Sequence, residues 1–361
     1  MATDFDFPIF KTKIDGVNQK FALEDPVGRR KYFDLKAGSE IEKIRDYLQK
    51  GNTFVGFLLG PKNSGKGTYT KLFMEAVGGD RVAHISVGDI VRSAQRAGRD
   101  ESQRKELVRF LQTRYRGFTK VDDIIASVVD WNISNLLETE GILALVEWEV
   151  GRLRRKAIFI DGFPRNIDQI SLSLYFRSLM GYRDDPDFFV YINVPESVID
   201  ERIKYRVICP HCQSPRNTKL LRTKDVGYDK EKKEFYLICD NPNCEGFGKA
   251  RLVGKAGDSQ GIEAMRDRIE LDKKVIKKLL DLQGVSKVYL RNTVPVTQAK
   301  DFVDDYEITP GYRYELEEGG NVKVIEEPWT IKDDAGEDSY SLLPAPVAVA
   351  LIKQTAQVLG L

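Results

Sequence analysis

Apolar and polar positions along this chain follow two regimes in turn. Continuous runs of apolar or β-branched residues occur at Thr53 to Leu59, Val82 to Ser86, Ala157 to Ile160, Asp187 to Val194 and Ser286 to Leu290, with helical spacing between them. Runs of this kind predict strands covered on both faces, and strands divided by helices predict a parallel α/β sheet with helices on each side. Ahead of them, Ile41, Ile44 and Leu48 share one face of a predicted helix over Ser39 to Gln49, with Ser39 as its cap. Past Asp304 comes a polar, acidic segment with turn signals, then Pro344 to Leu359, whose apolar residues suit an amphipathic helix and are too few to cross a bilayer.

The first apolar run is joined to a helical pattern, Tyr69 to Val77, by Gly60-Pro-Lys-Asn-Ser-Gly-Lys66-Gly-Thr68. Glycines at both ends let the backbone wrap an anion. The helix that follows aims its N–H groups and positive dipole end at the same point, and Lys66 adds a full charge. A polyphosphate nucleotide is the expected ligand; a plain glycine-rich turn is the alternative. Gly67 stands where the general pattern has Ser or Thr, and Thr68 follows one place later.

Two further segments narrow the choice: Ile85-Ser-Val-Gly-Asp-Ile-Val-Arg92 and Asp161-Gly-Phe-Pro-Arg165. With Gly65-Lys-Gly-Thr68 they stand in the order found in the nucleoside monophosphate kinases, above all the adenylate kinases, which the chain resembles from about Phe54 to Asp304. The resemblance implies a P-loop nucleoside triphosphate hydrolase-like three-layer fold with a five-stranded parallel sheet of order 2-3-1-4-5. It also implies a mobile helical monophosphate-binding insert over 87–155 and a mobile zinc-binding lid over 207–254, inside a kinase domain over 51–304. Extensions over 1–50 and 305–361 lie outside the resemblance. The insert is longer than in compact members and contains a helical stretch from Ile124 to Asn135. The implied activity is magnesium-dependent transfer between ATP and AMP to give two ADP, with a UMP or CMP kinase as the alternative within the class.

Residue roles follow from the same resemblance. Lys66 follows the transferring phosphoryl group, while Gly60, Ser64, Gly65, Gly67 and Thr68 cradle the donor phosphates. Asn63 replaces a usual family glycine, and Asn tolerates the left-handed backbone better than most residues. Arg92 and Arg165 grip the acceptor phosphate through a planar, permanently charged fork. Gln169 reads the adenine edge, whereas Val87 stands where a threonine is usual. Arg202 stacks on the donor base and Arg206, one helical turn on, contacts donor phosphates. Across the lid Asp258 and Arg266 take the family's carboxylate and phosphate-binding arginine positions, and either Lys255 or Arg251 supplies a second lid cation. Asp89 and Asp161 are placed to hold magnesium through water; a helix N-cap is the plainer role for Asp89.

All four cysteines, Cys209, Cys212, Cys239 and Cys244, fall in one short region. Their pairwise spacing reads as two knuckles of a zinc ribbon with a closed four-thiolate structural site. Two disulfides are the alternative, disfavoured in a reducing compartment. His211 and Asp240 are expected as solvated knuckle residues, since the cysteines already fill four positions.

At 361 residues with 42% hydrophobic content, two or three domains and a sizeable core are expected. Lys plus Arg (56) nearly cancel Asp plus Glu (55), so no global basic field points to nucleic acid. The ribbon's Arg216, Lys219, Arg222 and Lys224 leave one competing class, a nucleotide-binding module that contacts RNA or protein without kinase activity. The acidic N-terminal segment and the lack of a long apolar run predict a soluble cytoplasmic protein with no membrane partner. The resemblance implies a monomer.

Overall fold

The computed structural model describes residues 7–129, 139–153, 155–164, 169–170, 185–255 and 257–361. After helix α1 (Pro26–Gln49) come β1 (Val55–Leu59), α2 (Lys66–Val77), β2 (Val82–Ser86), α3 (Val87–Arg99), α4 (Glu101–Arg114), α5 (Val121–Val129), α6 (Thr139–Arg152), β3 (Ala157–Asp161) and β4 (Asp187–Asn193). Next stand α7 (Glu196–Lys204), β5 (Arg206–Ile208), β6 (Pro215–Asn217), β7 (Val226–Asp229), β8 (Glu234–Leu237), β9 (Val253–Gly254), α8 (Arg266–Leu280) and β10 (Ser286–Arg291). The chain continues through β11 (Thr293–Pro295), α9 (Ala299–Phe302), β12 (Pro310–Leu316), β13 (Val322–Pro328), β14 (Thr330–Lys332) and β15 (Asp338–Ser341) to α10 (Pro344–Val358).

The five apolar runs form one parallel sheet in spatial order β2-β3-β1-β4-β10. Because β5 to β9 form two separate small sheets, in the segment that the resemblance assigns to a lid, β10 is the fifth core strand and the order is the expected 2-3-1-4-5. Every residue of β1 is buried, as a central strand between two helical layers requires. Two hydrophobic clusters fill the two faces. One holds Phe54, Phe73, Phe159 and Phe188 with α1, α2 and α10; the other holds Phe57, Phe189 and Tyr191 with α3 to α6 and part of α8.

Both extensions enter the first cluster, and the helix expectations for them need correction. Helix α1 starts at Pro26, where Asp25 accepts from Gly28 N at 2.7 Å, and bends at Ala37. Ser39 is therefore an interior residue, although Ile41, Ile44 and Leu48 are buried as their spacing predicts. Helix α10 is not amphipathic on a surface: Ala345 to Ile352 are buried without interruption, between α1, α2 and β10. Gln354 covers the outer edge of β10, its Oε1 accepting from Tyr289 N at 2.9 Å and its Nε2 donating to Tyr289 O at 2.8 Å. The α5 helix ends at Val129, and the rest of the stretch expected to Asn135 lies outside the described residues.

The polar segment after Asp304 folds into two hairpins. One, β14–β15, continues as β15 alongside β11. The other, β12–β13, rests on the lid. Tyr312 N donates to Lys219 O at 2.8 Å, Tyr314 Oη donates to Thr218 O at 2.6 Å, and the Tyr314 and Phe235 rings lie 5.6 Å apart.

Candidate active site

Strand β1 delivers the chain at Gly60 into a loop that can close only with particular residues. A Cβ on Gly60 would meet Ser64 Oγ at 2.9 Å and Ile192 Cβ at 3.1 Å; Gly65 sits at φ +97° with the Tyr69 ring where its Cβ would be. Asn63 holds φ 66°, the left-handed conformation expected of it. Helix α2 then opens on Lys66, whose Nζ donates to Gly60 O at 2.7 Å and Pro61 O at 2.9 Å and lies 3.7 Å from Asp161 Oδ1.

A cleft of about 610 Å³ runs from this loop to the insert. Its lining includes Gly60, Ser64, Gly65, Lys66, Gly67, Thr68, Val87, Arg92 and Asp161. A helix leaves the N–H groups of its first turn without an intrahelical acceptor, and the first turn of α2 lies in this wall. Ser64 Oγ and Asn63 Nδ2 are buried with no hydrogen-bond partner among the described residues. An anion accepting from this loop would satisfy both kinds of donor.

Cations crowd the same wall. Burial pushes the Lys62 ammonium below its usual range, and Lys255, Arg206 and Arg268 push it further, with Asp258 opposing them. Arg206 forms a two-point pair with Asp258, Nε to Oδ2 at 2.6 Å and Nη2 to Oδ1 at 2.7 Å. Three neighbouring cations with one carboxylate to balance them make a site that a polyphosphate would relieve.

The chain resembles several curated proteins. It is 31% identical over 219 residues to an adenylate kinase of Fervidobacterium nodosum, covering 60% of this chain and 79% of that one. The chain belongs to the adenylate kinase family. An adenylate kinase of Kosmotoga olearia is 29% identical over 218 residues, covering 60% and 81% of the two chains. One from Thermococcus kodakarensis is 27% identical over 235 residues, covering 65% and 84%. No family model matches the chain.

Several residues stand elsewhere than the family resemblance implied. Arg206 opens β5 and so shares no helical face with Arg202, which lies in the last turn of α7. Arg202 instead donates to Asn63 O at 3.2 Å and Asn292 Oδ1 at 3.4 Å. Arg266 donates to Glu196 Oε2 at 2.8 Å and pairs with Glu263, outside the cleft lining, which contains Arg268. Residues 266 and 268 lie about 200° apart around a helix, so one of them at most faces the cleft. The stripe Arg268, Asp272, Val275 and Ile276 lines the cleft with helical spacing, a phase that the sequence already carried.

Asp89 is in the first turn of α3 but is not its N-cap, which is Ser86. It pairs with Arg92 and lies outside the cleft lining, whereas Asp161 is part of it. Gln169 is buried and donates from Nε2 to Thr139 Oγ1 at 3.2 Å. Arg165 lies outside the described residues. Between the two candidate lid cations, Arg251 is held by Asp229 at 2.6 Å and stacks over the Tyr236 ring, while Lys255 neighbours Lys62.

In the lid the four cysteine sulfurs all lie within 4.8 Å of one another. Cys209–Cys244 and Cys212–Cys239 are each 3.8 Å apart. A tetrahedron with zinc–sulfur bonds of about 2.3 Å has edges of about 3.8 Å, whereas a disulfide needs about 2.05 Å. The cysteines are free thiols, and their arrangement fits a closed metal site. Ser214 draws the Cys212 thiol down, while burial pushes Cys239 and Cys244 up, and a cation among the sulfurs would favour the thiolate form of these last two. His211 is exposed and pairs with Glu245, and half-buried Asp240 pairs with Arg216, both outside the cluster. Lys219 pairs with Glu201, and Arg222 stands over the Tyr312 ring. No described helix is long and apolar enough to cross a membrane.

Proposed function

We propose that this protein interconverts ATP and AMP with two ADP, with magnesium at the phosphates and zinc in the lid. The observation that carries this reading is one cleft joining a phosphate loop, Lys66, the Val87–Arg92 segment and a cationic wall. Phosphoryl transfer asks a protein mainly to position its reactants and neutralise oxygens. The loop from Gly60 to Thr68 holds the donor phosphates, and Lys66, parked on two carbonyls, swings its ammonium to the transferring group. Arg92 exchanges exposed Asp89 for the acceptor phosphate, and Arg165 is the second acceptor-phosphate cation that the family resemblance implies. Arg206, Lys255 and Arg268 neutralise the donor side, so Arg268 takes the role that the family resemblance implied for Arg266. Arg202 meets the donor base, and Val87 and Gln169 border the acceptor base.

Asp161, 3.7 Å from Lys66 in the cleft wall, would hold magnesium through water. That ion supplies neutralisation of the phosphate oxygens when bound. Cys209, Cys212, Cys239 and Cys244 would hold zinc, which supplies folding energy to the lid and no chemistry. The ribbon's Arg216, Lys219 and Arg222 are engaged within the chain, which supports a lid over a nucleic-acid module. Extensions, insert and lid divide in this reading at the sequence boundaries given above.

Purified protein supplied with ADP alone is expected to form ATP and AMP, and Lys66→Met to lose this while staying folded. Absence of transfer to AMP, CMP, UMP and GMP alike sinks the reading. Comparing those acceptors at equal concentration, with Val87→Thr alongside, separates AMP from UMP or CMP as the partner.

A further inference from the structure

The C-terminal extension reaches the donor side of the cleft through one buried amide. Asn292, just past β10, is fully buried. Its Nδ2 donates to Leu342 O at 3.1 Å and Tyr69 Oη at 3.2 Å, and its Oδ1 accepts from Ser341 Oγ at 3.0 Å and Arg202 Nη2 at 3.4 Å. The main chains are locked as well, with Leu342 N donating to Asn292 O at 2.8 Å and Thr293 opposite Ser341.

An amide has a donor end and an acceptor end, and nothing intrinsic decides which faces a neighbour. Here the extension decides it. The Leu342 carbonyl can only accept, so the NH2 must face it, and the Ser341 hydroxyl is placed to donate to the oxygen. That leaves Oδ1 towards the Arg202 guanidinium. The flipped amide would set NH2 against guanidinium and oxygen against carbonyl. Arg202 is thereby held among three oxygens, Asn292 Oδ1, Asn63 O of the phosphate loop and Tyr69 Oη. The extension also secures the start of the helix that carries Arg202: Asp334 Oδ1 accepts from Glu196 N at 2.9 Å, and Ser197 Oγ donates to Lys332 O at 2.8 Å.

We propose that Ser341 and Leu342 are positioning residues that act through Asn292 to hold Arg202 for the donor nucleotide. This rests on the reading that Arg202 meets the donor. A fixed guanidinium loses less freedom when the nucleotide binds, so the effect falls on donor affinity and spares the acceptor.

The test measures KM for ATP and AMP, together with ATP affinity by displacement of a fluorescent nucleotide, in wild type, Ser341→Ala, Asn292→Leu and Ser339→Ala. Ser339 is buried on the same strand and its hydroxyl bonds Asp333 at 3.2 Å, so it controls for lost stability alone. Ser341→Ala is expected to weaken ATP binding about 3- to 10-fold, with KM for AMP and kcat within about twofold. Asn292→Leu should weaken ATP more, and Ser339→Ala should leave it unchanged. Equal loss for both nucleotides, ATP affinity within about twofold in Ser341→Ala, or the same shift in Ser339→Ala overturns the proposal. If Asn292→Leu does not fold, the two serine variants decide. A wild type that binds ATP without transferring phosphoryl overturns the kinase reading and leaves this one standing; a wild type that binds no ATP overturns both.

Discussion

Removing metal from the lid tests the link between its cysteines and its fold. The lid spans β5 to β9 on a very small core: Leu220, Leu237 and Leu252 are its buried aliphatic side chains, the last two clustered with buried Cys209, Cys239 and Cys244. Burying a leucine contributes about 1.5–3 kcal/mol, so the three supply about 4.5–9 kcal/mol. A four-ligand structural zinc supplies about 10–16 kcal/mol in small peptides at neutral pH. The metal therefore outweighs the apolar core, and losing it should unfold the lid while the parallel sheet persists. Limited proteolysis with mass spectrometry, before and after chelation, should show new cuts within 207–254 and protection retained in α2, α8 and α10. Metal analysis should find one zinc per chain, and Cys212→Ser should reproduce the chelated pattern. Cobalt substitution should give the absorption of tetrahedral thiolate ligation. A chelated lid as resistant to protease as the zinc-loaded one would refute the reasoning.

Other expectations follow from single contacts. Arg268→Ala should lower kcat by about 10²- to 10³-fold, as loss of a charge-stabilising donor does, while Arg266→Ala should act mainly through stability, because Arg266 is engaged with Glu196 and Glu263 outside the cleft lining. Steady-state kinetics of the two variants checks this, and an equal loss of kcat would reverse the assignment. Asn63→Gly should keep thermal stability, whereas Asn63→Val should lose about 1–2 kcal/mol because a β-branched residue resists φ 66°; thermal melts compare them. Burial raises the Glu307 carboxyl above its usual range, against the pull of Thr12, Tyr32 and Lys36. The folded state thus keeps that proton after the unfolded chain has lost it. The stability this gives is full below the ordinary carboxylate pKa and is lost as pH rises through the raised value. Denaturant melts of wild type and Glu307→Gln across that window should show wild type losing ground as pH rises.

The five core strands were legible because a strand covered on both faces cannot alternate, so each appears as an unbroken apolar run. The phosphate loop was legible because few sequences can trace it, and Asn63 could be foreseen in a left-handed conformation. Helix starts were harder to read. Ser39 imitates a cap, while the true signal, Asp25 before Pro26, sat among other turn residues. Strands β12 and β13 left little trace, since their residues are exposed or half-buried on both faces and no apolar period marks them. Arg266 and Arg268 could be told apart only by the phase of α8, which Val275 and Ile276 supply once they are known to border the cleft. Asn292 carries no motif at all. Its importance comes from the extension folding back over it, a contact between residues 49 positions apart.

The placement of α10 has a consequence for synthesis. The sheet's edge strand β10 and the apolar side of α2 are covered by a segment translated after both of them, since residues 344–358 fill the space between α1, α2 and β10 and Gln354 bonds the backbone N–H and C=O of Tyr289. A nascent chain halted before Pro344 would display a bare strand margin beside an unfilled greasy trough, the kind of surface to which chaperones and other unfinished chains adhere. Emergence of the nucleotide-binding half alone therefore leaves the chain aggregation-prone until residues 344–358 have followed it and docked.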